Sequence, residues 1–134
     1  MKIVIVDGQG GRLGKLFVEE ILKKIPDATI FALGTNSIAT ATMLKAGAHH
    51  GATGENPIVR NLRDADAVFG AVGIVVAHAI LGEVTPVIAE AVGGASATKF
   101  LVPMNGCGVV VSGVSTLKLQ DYVEQAVATF LESK

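Results

Sequence analysis

Hydrophobic positions along this chain switch repeatedly between two periods. After Lys2, residues 3–6 are a continuous apolar, β-branched run, the pattern of a strand buried on both faces. From 12 to 24 the period changes. Leu13, Phe17 and Ile21 recur at i, i+4 and i+8, with Leu16 and Ile25 beside them, while Lys15, Glu19, Lys23 and Lys24 can face water. Pro26-Asp27 stops this helix. Residues 29–33 predict a second strand. A second helix follows over 38–46, with Asn36 or Ser37 as N-cap and Gly47 as C-cap, and 48–52 predict a short third strand. Asn56 before Pro57 reads as an N-cap followed by the first helical position, giving a short helix over 57–63. Residues 67–72 predict a fourth strand, and 73–82 and 86–92 two helical pieces broken near Glu83-Val84-Thr85.

Residues 99–102 predict a fifth strand, which Pro103 limits. Asn105-Gly106 is a turn signal, and with a short strand over 109–111 it predicts an antiparallel hairpin at the sheet edge. The last helix, over 118–132, is the clearest. Leu119, Tyr122, Val123, Ala126, Val127 and Phe130 form one stripe, with Ser115 or Thr116 available as a cap. Strands alternating with helices imply an α/β fold: a three-layer, Rossmann-like sandwich on a mostly parallel sheet, one domain over residues 1–134. Right-handed crossovers bring the C-terminal strand ends to one edge, so a ligand would bind there, at the switch point near the first strand.

The first strand runs into Asp7-Gly8-Gln9-Gly10-Gly11-Arg12-Leu13-Gly14-Lys15. Strand, glycine loop and helix place backbone N–H groups and the positive end of a helix dipole where a phosphate can meet them. Gly8, Gly11 and Gly14 read as G-x-x-G-x-x-G: a tight turn, a close backbone approach to pyrophosphate, and close helix packing. Gly8-Gln9-Gly10 with Gly14 gives a second register. Asp7 can pin the loop by accepting its amides or support a metal-assisted phosphate site, and Arg12 can pair with phosphate or face water. The second strand ends in Gly34-Thr35-Asn36-Ser37, with no acid to grip an NAD ribose and no arginine beside it for the 2′-phosphate of NADP. The candidate cofactor contacts are Gly8, Gln9, Gly10, Gly11, Arg12, Leu13 and Gly14, then Thr35, Asn36 and Ser37, and Gly70 and Gly73 in the loop after the fourth strand. Gly51-Ala52-Thr53-Gly54 belongs to the same edge.

Two resemblances follow from these strings. Gly11-Arg12-Leu13-Gly14 resembles the loop of dihydrodipicolinate reductase-type and extended short-chain dehydrogenase-type dinucleotide folds. Over nearly the whole chain, the strings around residues 7–11, 32–40, 51–56 and 81–86 resemble a family of short bacterial proteins filed as a domain of unknown function, number 3842. That resemblance implies a free-standing small cytoplasmic protein and supplies no activity.

Composition narrows the field. Half the residues are hydrophobic and 17% are charged, which suits two-sided burial of a parallel sheet and a homo-oligomer, expected to be a dimer. The net charge of -1 argues against a general nucleic-acid footprint. The apolar uncharged run over residues 67–82 is too short and too broken by glycine to span a membrane. No secretory leader is legible, and Cys107 is the only cysteine, so no intrachain disulfide can form.

No metal motif is present. His49 and His50 are adjacent and point to opposite faces of a strand, and His78 reads as a core histidine in an apolar helix. Cys107 reads as a buried or incidental thiol. Glu55, Glu83 and Glu90 are acid–base candidates by elimination, with Glu83 more simply part of a helix break. The catalytic residues are therefore unknown. The leading expectation is a nucleotide- or dinucleotide-binding module, NAD(P) first, acting in sensing or regulation. An NAD(P)-dependent oxidoreductase completed by a second subunit, and a structural or partner-binding protein without a ligand, remain the alternatives.

Overall fold

The structure of the chain, a computed structural model, describes residues 1–104 and 107–134. Its elements run β1 (Lys2–Asp7), α1 (Arg12–Lys24), β2 (Thr29–Gly34), α2 (Ser37–Ala46), β3 (His50–Thr53), α3 (Glu55–Leu62), β4 (Ala67–Ala71), α4 (Pro86–Gly93), β5 (Thr98–Val102) and α5 (Leu119–Glu132). A 3-10 helix, Val72–Val75, follows β4. All strand pairs are parallel, in the order β3-β2-β1-β4-β5. β1 lies in the middle, with Val4 opposite Phe31 on one side and Val68 on the other. The connections reverse direction at β1, so the switch point falls between β1 and β4.

Strand side chains alternate between two cores. Ile3, Ile5, Ile30, Ala32 and Phe69 face the layer of α1, α2 and α5. Val4, Val6, Leu33 and Val68 face the layer of α3 and α4. In the first core Phe69 stands among Phe17, Phe100 and Phe130, with ring centroids at 5.3, 5.3 and 5.6 Å. Burial on both faces is why β1 carries no polar residue between Lys2 and Asp7, as the apolar run implies.

Four expectations need correction. The helix after β3 starts at Glu55 with Gly54 as N-cap, so Pro57 is its third residue. Gly54 takes φ +105 to turn the chain out of β3, and Pro57 does no harm because first-turn amides have no intrahelical partner. Residues 76–84 form turns, where a helix over 73–82 was predicted. The His78 amide bonds the Val84 carbonyl at 2.7 Å and the Val84 amide bonds the Ala79 carbonyl at 3.1 Å, closing a loop that replaces the helical ladder. Residues 109–111 form no strand, Val110 is 91% exposed, and β5 carries no antiparallel partner among the described residues. The Asn105-Gly106 turn lies outside the described residues.

Finally, α5 has Lys118 as N-cap with no side-chain cap. Neither Ser115 nor Thr116 caps it; the Tyr122 hydroxyl instead ties down the segment before the helix, accepting from the Leu117 amide at 3.1 Å and donating to the Ser115 carbonyl. No described helix is long and apolar enough to cross a membrane.

Candidate functional site

β1 ends beside β2 and β4, so the chain leaving Asp7 must turn at once over the sheet edge. It does so with the Gly11 amide on the Gly8 carbonyl at 3.0 Å. Gly11 takes φ +78, and a Cβ there would lie 2.8 Å from the Ala39 carbonyl oxygen of α2. Its lack of a side chain therefore serves the turn and the approach of α2. Gly14 sits equally tightly, with Asp7 Cβ 3.1 Å from where its own Cβ would be.

Asp7 is buried and clasps the loop with both oxygens. Oδ1 accepts from the Gly8 amide at 2.8 Å and Oδ2 from the Gly14 amide at 2.7 Å. Burial pushes its pKa above 3.8. The two amides oppose that shift, and the negative charge of Glu83 adds to it. Of the two roles open to Asp7, the structure shows the pin.

Glu83, from the turn after β4, reaches over the same loop. One oxygen, Oε1, accepts from the Gln9 amide at 3.0 Å, the Thr35 hydroxyl at 2.6 Å and the Asn36 carboxamide at 2.8 Å. Asn36 also donates to the Gln9 carbonyl at 2.9 Å, and its Oδ1 caps α2 through the Ala39 amide at 2.9 Å. Burial works against the Glu83 charge, but the donors from Thr35, Gln9 and Asn36 outweigh it and hold the pKa below 4.5.

The amides of Gly8, Gln9, Gly11 and Gly14 are thus occupied from within. Those of Gly10, Arg12 and Leu13 have no acceptor among the described residues. The same three residues line a cavity of about 510 Å³ together with Asp7, Gly8, Gln9 and Gly11. Its opposite wall is Ala71, Gly73, Ile80, Leu81, Met104, Cys107 and Leu119. The cavity therefore opens on the β4 and β5 side of the loop. Arg12 stands exposed at its rim and forms no ion pair among the described residues.

Of the sequence-predicted set, Gly8, Gln9, Gly10, Gly11, Arg12, Leu13 and Gly73 gather at this cavity. Thr35 and Asn36 are engaged by Glu83, and Ser37 is exposed at the start of α2. Gly70 lies inside β4 and off the cavity, where a Cβ would come 2.8 Å from the Val6 carbonyl oxygen of β1. Thr53 bonds Thr40 at 2.7 Å away from the cavity. His49 Nδ1 accepts from the Ile30 amide at 2.9 Å, and His50 packs on Phe31 with centroids at 4.8 Å. His78, expected in the core, is exposed in a left-handed turn. Glu55 is spent on the Thr85 hydroxyl at 2.6 Å. No cluster able to hold a metal occurs among the described residues. Sequence reasoning missed the part played by Glu83 and by Ile80, Leu81, Met104 and Leu119, since no motif or period connects them to the loop.

No curated protein sequence matches this chain. Among solved structures, the chain is similar to a dodecameric FMN-dependent UbiX-like decarboxylase from Escherichia coli O157:H7. The identity is 16% and the TM-score 0.46, over 96% of this chain and 75% of that one. A likeness so distant carries no assignment of function. Residues 2–134 match the family described as Domain of unknown function (DUF3842), and the chain belongs to that family.

Proposed function

We propose that this protein binds a nucleotide in the cavity beside the glycine loop and acts as a ligand-sensing module. One observation carries the reading. Among the described residues the amides of Gly10, Arg12 and Leu13 have no acceptor and Arg12 has no ion-pair partner, and all three border a cavity of about 510 Å³. Helix N-terminal amides favour an anion, and Arg12 adds a charge-assisted partner for a phosphate. The volume falls within the usual range for small-molecule sites, and Ile80, Leu81, Met104 and Leu119 offer an apolar wall to a base.

NAD(P) is the first dinucleotide to test, because the loop follows a central parallel strand. Its adenosine half would have to share the β2 tip with Glu83. Sensing ranks above oxidoreductase chemistry because hydride transfer to a carbonyl needs a proton donor, and the one carboxylate on the described wall, Asp7, has both oxygens on loop amides. The exposed apolar stretch of Val109, Val110, Val111 and Val114 supports the expected homo-oligomer, which light scattering of the purified protein would test. A ligand-free structural role is favoured by the amides that Asp7 and Glu83 already occupy.

Thermal unfolding with AMP, nicotinamide mononucleotide, NAD+, NADP+, FAD, ATP and S-adenosylmethionine separates these readings. A ligand that binds only the folded state at 100 times its Kd stabilises by about 2.7 kcal/mol, or roughly 10 °C for a domain of this size. Gly10→Glu tests the location. A Cβ at Gly10 meets nothing within 4 Å, so the added carboxylate should abolish the shift and leave the unliganded Tm nearly unchanged. A Tm that none of these compounds moves at millimolar concentration would favour the structural role.

A further inference from the structure

We infer that Glu83 biases the site towards a single phosphate monoester over pyrophosphate-bearing ligands. The inference rests on the nucleotide reading above and narrows its ligand class. The open donors, the amides of Gly10, Arg12 and Leu13, suffice for one phosphate group. The next donors along the loop converge on a single point: the Gln9 amide, the Thr35 hydroxyl and the Asn36 carboxamide all bond Oε1 of Glu83, at 3.0, 2.6 and 2.8 Å. They come from the loop, the tip of β2 and the cap of α2. Of these donors only Gln9 borders the cavity, so a second phosphate reaching along the loop would compete there with a carboxylate already in place and charged.

The placement of Glu83 is built into the fold. The chain before it holds His78, Ile80 and Leu81 at φ 70, 56 and 52. Non-glycine residues rarely adopt this region, and a β-branched isoleucine there is a genuine outlier. The turn is anchored by buried Ala79 and Val84, and it presents Ile80 and Leu81 to the cavity and Glu83 to the loop. Gly8 is the matching concession on the other side. A Cβ there would stand 2.7 Å from the Thr35 hydroxyl and 2.9 Å from Oε1 of Glu83. A backbone outlier on one side and an obligatory gap on the other both serve the position of one carboxylate.

The test is equilibrium binding of two matched pairs, AMP against ADP and nicotinamide mononucleotide against NAD+. The proteins are wild type, Glu83→Gln and Glu83→Ala. Two unit charges about 4 Å apart in water repel enough for about a fivefold change in affinity, and more where water is excluded. Wild type should therefore prefer each monophosphate by about fivefold or more. Both variants should lose that preference by gaining affinity for ADP and NAD+. Glu83→Gln keeps an oxygen for the three donors and decides the matter should Glu83→Ala fail to fold. Equal or tighter wild-type binding of ADP and NAD+, or a preference that survives in both variants, overturns the inference and leaves nucleotide binding standing. Failure of all three proteins to bind any of the four compounds removes the nucleotide reading and this inference with it.

Discussion

Glu83→Ala is the most informative single change, because it removes a link that joins three segments of chain. The side chain accepts from Gln9, Thr35 and Asn36. Hydrogen bonds to charged groups contribute about 1.5–3 kcal/mol each when buried. Glu83 is half-buried, so water can reach the vacated donors. Asn36 keeps the Gln9 carbonyl at 2.9 Å, and Thr35 keeps the Asp7 carbonyl at 3.5 Å. Discounted for this, the three bonds amount to about 2 kcal/mol. The left-handed residues before Glu83 stay held by the backbone bonds of His78 and Ala79 with Val84, so their partial relaxation returns about 1 kcal/mol in all at most.

The net loss should be about 1–2 kcal/mol. It would be read as a fall in the urea midpoint at constant m, and as a drop in Tm of roughly 3–8 °C. The loss is local, so hydrogen exchange should show it more sharply. The Gln9 amide should exchange at least about tenfold faster than the change in global stability accounts for. Unchanged exchange at Gln9 would refute the bond. A loss above about 4 kcal/mol would show instead that residues 76–84 carry core packing, because only core disruption reaches that size.

Stability should depend on pH through two carboxylates with opposite signs. Glu83 has its pKa lowered from 4.5, so its contribution is complete above 4.5 and is lost as pH falls through the folded value. The gap between wild type and Glu83→Gln should close in acid. Asp7 has its pKa raised from 3.8, so its contribution is complete below 3.8 and is lost as pH rises through the folded value. Asp7→Asn should therefore cost least near neutrality, which denaturant midpoints across pH 3–7 would show. Gly11→Ala combines φ +78 with a Cβ 2.8 Å from the Ala39 oxygen and should cost about 2–4 kcal/mol, against about 0.5 or less for Gly10→Ala, both measured by urea unfolding.

The layers of this fold were legible because each is written in a local period. β1 reads as buried from its own apolar run. α1 and α5 show their stripes within one or two heptads, and the order of strands and helices then implies a parallel sheet. What local pattern could not give is the path of residues 76–84. An apolar stretch with no period fits a helix as well as a turn, and the decision fell to pairings such as His78 with Val84 that fix its ends together. The 109–111 run failed for a related reason. Val109, Val110 and Val111 have strand propensity, but propensity needs a partner strand to be realised, and none pairs with them among the described residues.

The site shows the same division in its charges. Asp7 is adjacent to the loop it pins, so its role could be inferred from the sequence. Glu83 lies 74 residues from the amide it binds, and nothing between them announces the meeting. A glycine-rich turn after a strand concentrates unpaired donors, but it does not determine who receives them. In this chain two internal carboxylates take the amides of Gly8, Gln9 and Gly14, and Gly10, Arg12 and Leu13 are left facing a cavity. The motif alone would have assigned all of these donors to a ligand. The division between internal and external acceptors is the basis of the proposed preference for a single phosphate, and it is set by a residue that no local motif includes.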